Sequence, residues 1–345
     1  MGPCLKWAQT RNTTFGAEGL SMARPATRQL LQGLGFCSPS IIGLAALMAY
    51  PMAASLYYSF CNYSVLRPAR FIGTANYRHL LTEDELFRTA LYNTAVYAVW
   101  AVPLGIVFAF VLALLLNVKV RGMAFYRTIF FIPSIVPLVA SSVLWIWLLN
   151  PQIGGINFLL DRIGVDGLLT RFAETAPATA RWLGFEGGRL PGWLSDPQWA
   201  KRGIILWSIW GVGGSVVIYL AGLQGVPKEL YEAAEVDGAG AWHRVRHITV
   251  PFMTPYLFFT LVMGLIGAFQ FFTPAYVMTN GQGGPVDSTT FYSLYLFNVA
   301  FADFKMGYAS AMAWILFAII VVGTVLVFKT SARFVYYGEG AGEGR

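Results

Sequence analysis

Six long runs of apolar residues, separated by polar connections, dominate the pattern along the chain. A helix needs about 20 such residues to cross roughly 30 Å of hydrocarbon, and each run is long enough to do so. A seventh run, Thr289–Ala302, is short and is interpreted as interfacial, although the pattern leaves open that it spans. We predict six membrane-spanning helices, over approximately Leu34–Phe60, Ala90–Asn117, Ala124–Leu149, Gly203–Leu223, Thr254–Thr279 and Ala309–Phe328.

Prolines interrupt several of these runs, which a helix bundle in a membrane tolerates because neighbouring helices and local water satisfy the freed carbonyl groups. They are Pro39, Pro51, Pro103, Pro133, Pro137 and Pro274. The pattern therefore predicts an all-α, polytopic membrane protein. We expect a cytoplasmic tail over residues 1–33, a membrane domain over 34–330 and a second cytoplasmic tail over 331–345. No signal-peptide cleavage site is expected in the first tail, and Met22 is an alternative start.

Composition agrees with a membrane protein. Only 12% of the 345 residues are charged, against about 25% in soluble domains, and mean hydropathy is +0.57. The net charge of +7 comes without basic runs, so it is attributed to membrane topology rather than to nucleic-acid binding. Histidines and cysteines never fall at metal-ligand spacing, so no metal site is expected.

Charge in the connections predicts that both termini are cytoplasmic. Lysine and arginine slightly favour the cytoplasmic side in this orientation, most clearly at Lys119 and Arg121 in a very short connection. Lys201 and Arg202 lie on the side that the rule disfavours. In this topology residues 150–202 and 280–307 are outside the membrane on the opposite face.

The polar connection 225–253 predicts two short helices joined by a sharp turn, because Gly238 and Gly240 tolerate left-handed backbone. The second short helix is expected over Ala241 to Thr249, ending before Pro251. Helices of about ten residues do not persist alone in water, so the pair needs a surface to lie on. The pattern does not decide between a partner protein and the membrane surface.

The same connection resembles the EAA loop of ABC importer permeases. The resemblance rests on Glu232, Ala233, Ala234, Asp237, Gly238, Ile248 and Pro251, with Val250 where leucine is usual. In that family the loop forms a coupling helix that seats in a cleft of the ATP-hydrolysing subunit. The resemblance thus implies the six-helix, type I importer fold and a role in ATPase coupling for the first five of these residues.

Further segments resemble the sugar-type permeases of this family. They are Tyr50-Pro51, Ser59-Phe60, Phe71–Gly73, Asn76-Tyr77, Tyr126–Thr128, Asn150-Pro151, Gly155–Asn157, Thr279–Gly281, Gly283–Pro285 and Met306–Ala311. The resemblance implies import of an oligosaccharide, polyol or glycerol phosphate across the bacterial inner membrane. It also implies four kinds of partner. They are a second homologous permease subunit, two ATP-binding subunits, a periplasmic or lipid-anchored solute-binding protein, and membrane lipid. The two permease subunits are expected to form a heterodimer, and a homodimer stays open. A polyamine or peptide importer is the alternative.

A hydroxyl-rich solute needs polar groups at bilayer depth, because it exchanges water for protein hydrogen bonds. The fourth and fifth runs supply such groups together with aromatic faces. The candidates are Ser208, Trp210, Gly211, Ser215, Gln270 and Phe271. Two structural alternatives stay open: the glycines serve close helix packing, and Gln270 makes an interhelical hydrogen bond. Resemblance to maltose-type permeases places sugar contacts on the matching stretches, but the family's asparagines and tyrosine are missing there, so the sugar is not identified.

Two other classes of protein fit less well. An ion-coupled transporter usually carries an acid or a cation within a span, and the central parts of the six runs contain none. An enzyme would need a nucleophile, a metal cluster or an acid–base pair, and no such constellation is present. The chain also has no Gly-Lys dipeptide and hence no phosphate-binding loop, so we expect no cofactor in this chain and ATP bound by another polypeptide.

Overall fold

A computed structural model describes residues 23–118, 120–185 and 190–331. The chain divides into two units, Met1–Tyr57 and Tyr58–Arg345. Residues 1–22 and 332–345, which contain most of both predicted tails, lie outside the described residues. Helix α1 (Ala23–Leu44), a π-helical turn (Ala45–Ala49) and helix α2 (Tyr50–Ser59) follow one another without interruption, and the first unit ends two residues before the end of α2. The first helix thus begins within the segment predicted as a tail.

The second unit starts with a small antiparallel sheet and is otherwise helical. Strand β1 (Cys61–Ser64) pairs with β2 (Arg67–Phe71), with Cys61 opposite Phe71. The helices before the fourth span are α3 (Ala75–Thr82), α4 (Glu85–Leu116), α5 (Met123–Ile135), α6 (Leu138–Leu148), α7 (Gly155–Arg162), α8 (Val165–Thr175) and α9 (Pro177–Leu183). The helices after them are α10 (Pro197–Trp210), α11 (Gly213–Gln224), α12 (Lys228–Val236), α13 (Ala241–Arg244), α14 (Val250–Phe269), α15 (Thr273–Met278), α16 (Tyr292–Phe297) and α17 (Met306–Ser331).

Up to six membrane spans are present among the described residues, which confirms the predicted all-α, polytopic fold. Four helices are long and apolar enough to cross a membrane: Gln32–Ser59, Glu85–Leu116, Ala241–Phe269 and Met306–Ser331. Two bent pairs complete the six if each counts as one span. They are α5 with α6, bent by 99°, and α10 with α11, bent by 46°.

The predicted end of a helix before Pro251 is wrong. A π-helical turn, Val245–Thr249, joins α13 to α14, and the helix continues through the proline. The N–H of Val250 bonds to the carbonyl five residues back. Since proline lacks an N–H and its ring crowds the carbonyl four residues back, this wider turn lets the helix pass it. The turn Ala45–Ala49 stands in the same position before Pro51.

Other boundaries differ from the predicted ones as well, and two of them bear on the candidate site. Helix α10 begins six residues early, at Pro197, because Asp196 caps it by accepting the Gln198 N–H at 2.8 Å and proline suits a first helical position. The fifth span does not continue to Thr279. Helix α14 ends at Phe269, and α15 starts again only after a three-residue break.

The connections on the predicted outer side carry more structure than expected. Helices α7 to α9 occupy about half of the segment predicted to lie outside the membrane after the third span. The short apolar run forms the helix Tyr292–Ala302, in which Tyr292 and Leu294, like the preceding Phe291, are fully buried. Most of its apolar residues therefore pack against protein within the second unit, whereas Phe301 is exposed.

Helix α4 is central to the second unit. Helices α10, α11 and α14 all pack against it. One apolar cluster includes Tyr97, Ile204, Phe271 and Phe291, and another includes Tyr219 and residues toward the end of α4. This packing fixes the relative positions of the helices that carry the predicted solute path.

Candidate functional site

Three helix breaks meet around one cavity of about 340 Å³. The breaks follow α5 at Val136, α10 at Gly211 and α14 at Gln270. Backbone at a break has groups that no helical hydrogen bond satisfies, and at membrane depth such backbone is found where it lines a cavity. The cavity lining comprises Tyr97, Pro133, Ser134, Val136, Leu138, Ser141, Trp207, Ser208, Trp210, Gly211, Gly267, Gln270, Phe271, Phe272, Thr273 and Pro274.

A second cavity, of about 230 Å³, adjoins the first. The two share Tyr97, Ser208 and Gly267. Ser215 and Thr260 add hydroxyl groups to the second, whose remaining walls are small or aliphatic. Tyr97 and Ser208 thus stand at the junction between the two spaces.

All six residues predicted for the solute path lie on these cavities. The first is lined by Ser208, Trp210, Gly211, Gln270 and Phe271, and the second by Ser208 and Ser215. The 46° bend between α10 and α11 brings Ser208 and Ser215, from its two sides, to adjoining spaces. The structure therefore brings together what the sequence left as two separate stretches.

The polar candidates differ in their hydrogen bonding. Gln270 caps the end of α14 and is exposed, and its amide makes no hydrogen bond with another described residue. The Ser215 hydroxyl likewise has no hydrogen bond within the described part of the chain. The Ser208 hydroxyl donates to the Ile205 carbonyl at 2.7 Å. Gln270 and Ser215 thus have polar groups available to a solute.

Tyr97, which was not among the predicted site residues, is 5% exposed and borders both cavities. Its ring is packed at 4.5 Å from that of Phe271 and at 5.4 Å from that of Phe291, between ring centroids. A signal was present, because Asn93, Thr94 and Tyr97 form a polar stripe in an otherwise apolar span. A polar stripe of this kind marks the face of a helix that is turned toward protein.

The rest of that stripe holds outer segments in place. Thr94 accepts the Tyr292 N–H at 2.8 Å, and the Asn93 amide donates to the Thr290 carbonyl at 3.1 Å. The Asn93 oxygen accepts from Lys201 at 2.9 Å. Lys201, which lies on the side disfavoured by the charge rule, therefore has a structural role between α10 and α4.

The predicted coupling connection folds as a helical hairpin. Helix α12 ends in a left-handed residue, Gly238, with φ of 77°. The Ala239 N–H bonds to the Ala234 carbonyl at 2.8 Å, and the Gly238 N–H to the Glu235 carbonyl at 3.1 Å, which is the Schellman pattern. Gly240 has φ of −64°, which any residue can adopt. Of the two predicted turn glycines, only Gly238 therefore has a backbone conformation that favours glycine.

Two side-chain contacts support the hairpin from within. The hydroxyls of Tyr231 and Thr249 lie 2.8 Å apart, and Arg244 approaches Glu235 at 3.5 Å. The outer surface of the hairpin is open: Val236 is 89% and Trp242 is 76% exposed. The predicted coupling residues Glu232, Ala233, Asp237 and Gly238 are exposed too, and Ala234 is half-buried.

A separate polar cluster ties the start of α4 to α16 and α17. One Asp84 oxygen accepts the Phe87 N–H at 2.8 Å, and the other accepts the hydroxyls of Tyr295 at 2.7 Å and Tyr308 at 2.6 Å. Burial raises the pKa of Asp84, but the hydrogen bonds from Tyr308, Phe87 and Tyr295 outweigh it. The pKa therefore lies below its ordinary value of 3.8. Among the described residues, no group of three His, Cys, Asp or Glu side chains is placed to hold a metal ion.

Comparisons with known proteins agree with this architecture. Residues 101–335 match the family described as binding-protein-dependent transport system inner membrane component. The chain is 40% identical to the "Probable ABC transporter permease protein YesP" of Bacillus subtilis, over 94% of this chain and 98% of the relative. It is 33% identical to the lactose transport system permease protein LacF of Rhizobium radiobacter, over 86% of this chain and 93% of the relative.

A solved structure shares the fold. It is a chain of a bacterial alginate ABC transporter, crystallised in complex with an alginate pentasaccharide-bound periplasmic protein. The TM-score is 0.73, at 22% sequence identity, and the match covers 92% of this chain and 99% of that chain.

Proposed function

We propose a sugar or sugar-like solute as the cargo of this chain, which belongs to the family of binding-protein-dependent transport system inner membrane components. The chain is a membrane-embedded permease subunit of an ABC importer, a transport subunit. The observation that carries the proposal is the pair of adjoining cavities at the helix breaks, lined by hydroxyl, amide and aromatic groups.

The chemistry of the larger cavity suits a sugar. Its volume of about 340 Å³ falls within the roughly 300–1,000 Å³ typical of small-molecule sites. The Gln270 amide can bond to hydroxyl groups, and Phe271 and Trp210 can cover the apolar face of a ring. The buried indole N–H of Trp207, also in this lining, has no hydrogen-bond partner within the described residues. Such a donor costs free energy unless a ligand, water or a rearrangement satisfies it.

Charge argues against a polyamine, the alternative cargo. None of the described residues that line the two cavities is acidic or basic. A polycation would lose its hydration in such a lining without gaining a carboxylate partner. A neutral oligosaccharide or polyol loses only hydroxyl hydration, which hydroxyls and amides replace. The lactose-transporting relative supports the same choice.

We further propose that the hairpin is the surface on which an ATP-hydrolysing subunit docks. Support comes from its exposed Val236 and Trp242 beside exposed Glu232, since large exposed apolar side chains rimmed by polar ones are typical of protein contacts. In this proposal ATP is bound and hydrolysed on two partner subunits, and this chain holds no cofactor. A second homologous permease subunit and a solute-binding protein complete the importer.

The proposed location is the bacterial inner membrane with both termini in the cytoplasm. The hairpin, with its exposed coupling surface, is then cytoplasmic, as docking of an ATPase requires. Helices α7 to α9 and the loop before Tyr292 then face the periplasm, where a solute-binding protein would deliver the cargo.

The test is ATP hydrolysis by the assembled importer in proteoliposomes with its solute-binding protein. We expect a sugar or polyol to stimulate hydrolysis and to accumulate in the lumen, and polyamines and peptides to do neither. Stimulation by a polyamine or a peptide instead would overturn the proposed cargo. Val236→Asp should abolish both the stimulation and co-purification of the ATPase; normal assembly of that variant would remove the hairpin from the docking surface.

A further inference from the structure

A crevice of about 390 Å³ opens between α5, α11 and the end of α4, and it shares no lining residue with the two cavities described above. Its closed end lies at Gly213. A Cβ atom on that residue would stand 2.8 Å from the Phe130 carbonyl oxygen and 3.2 Å from the Phe131 Cα, so the two helices touch there. Toward the other end of α11 the space between the helices widens into the crevice.

The lining changes from polar to apolar along its length. Arg127, Thr128 and Gln224 stand at the wide end, beside the short connection after α4. The walls deeper in are apolar and include Phe131, Val217 and Leu220. Such a gradient matches a molecule with a charged head and a hydrocarbon tail.

The length of the crevice fits one leaflet of a bilayer. From Gln224 to Gly213 helix α11 rises about 16 Å, at roughly 1.5 Å per residue. Half of a hydrocarbon core about 30 Å thick is about 15 Å. A hydrocarbon chain that lies along the crevice would therefore reach about half-way across the bilayer core.

The Arg127 guanidinium, at the wide end, is held in place, and only some of its N–H groups form hydrogen bonds. Both Nε and Nη2 of Arg127 donate to the Leu116 carbonyl, at 3.2 Å and 2.9 Å. Arginine has five N–H groups, so three are left without a hydrogen bond among the described residues. A planar guanidinium held in place, with donors to spare, is well suited to a phosphate oxygen pair.

We propose that this crevice binds one anionic phospholipid, with its phosphate on Arg127 and one acyl chain lying along α11 as far as Gly213. The site belongs to the leaflet that adjoins the connection after α4, which is the cytoplasmic leaflet in the proposed topology. Anionic headgroups are bound by basic pockets between membrane helices. The site gives a role to Arg127, which the solute path and the coupling hairpin do not use.

The experiment is native mass spectrometry of the complete importer, purified in detergent with its partner subunits and titrated with phosphatidylglycerol or phosphatidylcholine. We expect tighter binding of phosphatidylglycerol, with one tightly bound molecule per copy of this chain. Arg127→Ala should weaken that binding at least tenfold, and Arg121→Ala, a cation in the connection outside the crevice lining, should leave it unchanged. Phosphatidylcholine binding should change little in either variant.

A second variant separates lipid binding from helix stability, because Arg127→Ala also loses the contact with Leu116. Ala221→Trp fills the crevice and spares that contact, so it should displace phosphatidylglycerol. Val107→Trp, on an exposed position of α4 outside the crevice, is its matched control. The proposal is overturned if Ala221→Trp keeps the lipid, if Arg121→Ala loses as much as Arg127→Ala, or if a photocrosslinker at Ala221 captures a second subunit instead of lipid.

Discussion

The ring of Tyr97 packs against the ring of Phe271, tilted by 34° and with 4.5 Å between centroids, and this contact joins helix α4 to the break after α14. Phe291 adds edge contacts to both rings, at 5.4 Å and 5.2 Å. The broken segment is thus held by three packed aromatic rings where helical hydrogen bonds stop. The same packing places the Tyr97 hydroxyl at the junction of the two cavities.

Tyr97→Phe should separate the packing role of this residue from its polar role. The ring contacts remain, so we expect the melting temperature of the importer to stay close to that of the wild type. Loss of one hydroxyl hydrogen bond, about 0.5–1.5 kcal/mol, should raise the half-saturating sugar concentration by roughly two- to twelve-fold. Tyr97→Ala removes the ring as well and should destabilise by about 3–5 kcal/mol. An unaltered sugar dependence in Tyr97→Phe would remove the hydroxyl from the path.

Gly238→Ala should impair coupling through the backbone alone. An added Cβ at this position meets no other atom within 4 Å, so the cost comes only from φ of 77°. Left-handed backbone costs a non-glycine residue roughly 1–2 kcal/mol, which lowers the equilibrium constant for forming the correct turn by a factor of roughly 5 to 30. We expect sugar-stimulated ATP hydrolysis to fall accordingly.

Gly240→Ala is the matched control for that measurement. It is two residues away, has equally open space around its Cβ and has φ of −64°. Its activity should equal that of the wild type. Equal loss in both variants would mean that left-handed backbone at Gly238 is not what coupling requires.

The sequence predicted the spans well because hydrocarbon thickness sets their length. Its errors are local and have local causes. Pro251 suggested a helix end, but a π-helical turn carries the helix past it. Asp196 and Pro197 signal the start of α10, but the apolar run begins only after them, so the start was predicted too late. Hydropathy detects burial in lipid and is insensitive to such turns and caps.

The residues of the candidate site could largely be predicted from the sequence, but the shape of the cavity could not. Ser208, Ser215 and Gln270 stood out as polar residues at bilayer depth, and the breaks near them could be suspected from glycine and proline. The three breaks meet at one cavity because of how α5, α10 and α14 pack. This packing cannot be read from a single sequence. Tyr97 was overlooked because tyrosine in a span is also common in apolar packing.

A cysteine at Ser195 tests the proposed topology. Ser195 is exposed in the segment that we place outside the membrane, and Glu229, exposed in the hairpin, is its counterpart on the cytoplasmic side. In a chain whose native cysteines are replaced by serine, a membrane-impermeant maleimide added to intact spheroplasts should label Ser195→Cys and spare Glu229→Cys. The reverse pattern would invert the topology and remove the hairpin from the cytoplasm.

Asp84→Asn should lower the stability of the second unit at neutral pH. Asparagine keeps the helix cap, but its amide nitrogen cannot accept the hydroxyls of Tyr295 and Tyr308. Hydrogen bonds to a charged group are worth about 1.5–3 kcal/mol each, so we expect a clear fall in melting temperature. Asp303 is an exposed acid whose side chain pairs, among the described residues, with Lys305 alone at 3.7 Å, so Asp303→Asn should change the melting temperature little.

The pH dependence of that difference has a definite sign. The pKa of Asp84 is lower in the folded chain than its ordinary value of 3.8, so its ionised form stabilises the fold. The contribution is complete above that value and is lost as pH falls through the lower, folded pKa. The gap in melting temperature between wild type and Asp84→Asn should therefore be constant from pH 8 to about 5 and should close only in stronger acid. A gap that closes near neutral pH would assign the effect to another group.

Gln270→Ala tests whether the helix break after α14 contacts the solute. If the amide served packing, it would have a hydrogen-bond partner on another helix, and its loss would lower stability with or without sugar. The side chain is exposed on the larger cavity and has no such partner among the described residues, which supports a role toward solute. We expect the half-saturating sugar concentration for transport to rise roughly two- to twelve-fold, the value of one hydrogen bond, while assembly, basal ATP hydrolysis and melting temperature stay unchanged. Gln152→Ala makes the same chemical change at an exposed site away from both cavities and should leave every one of these quantities as in the wild type. A lowered melting temperature with an unchanged sugar dependence would assign Gln270 to packing, since only a residue that meets the sugar can alter affinity without altering the fold.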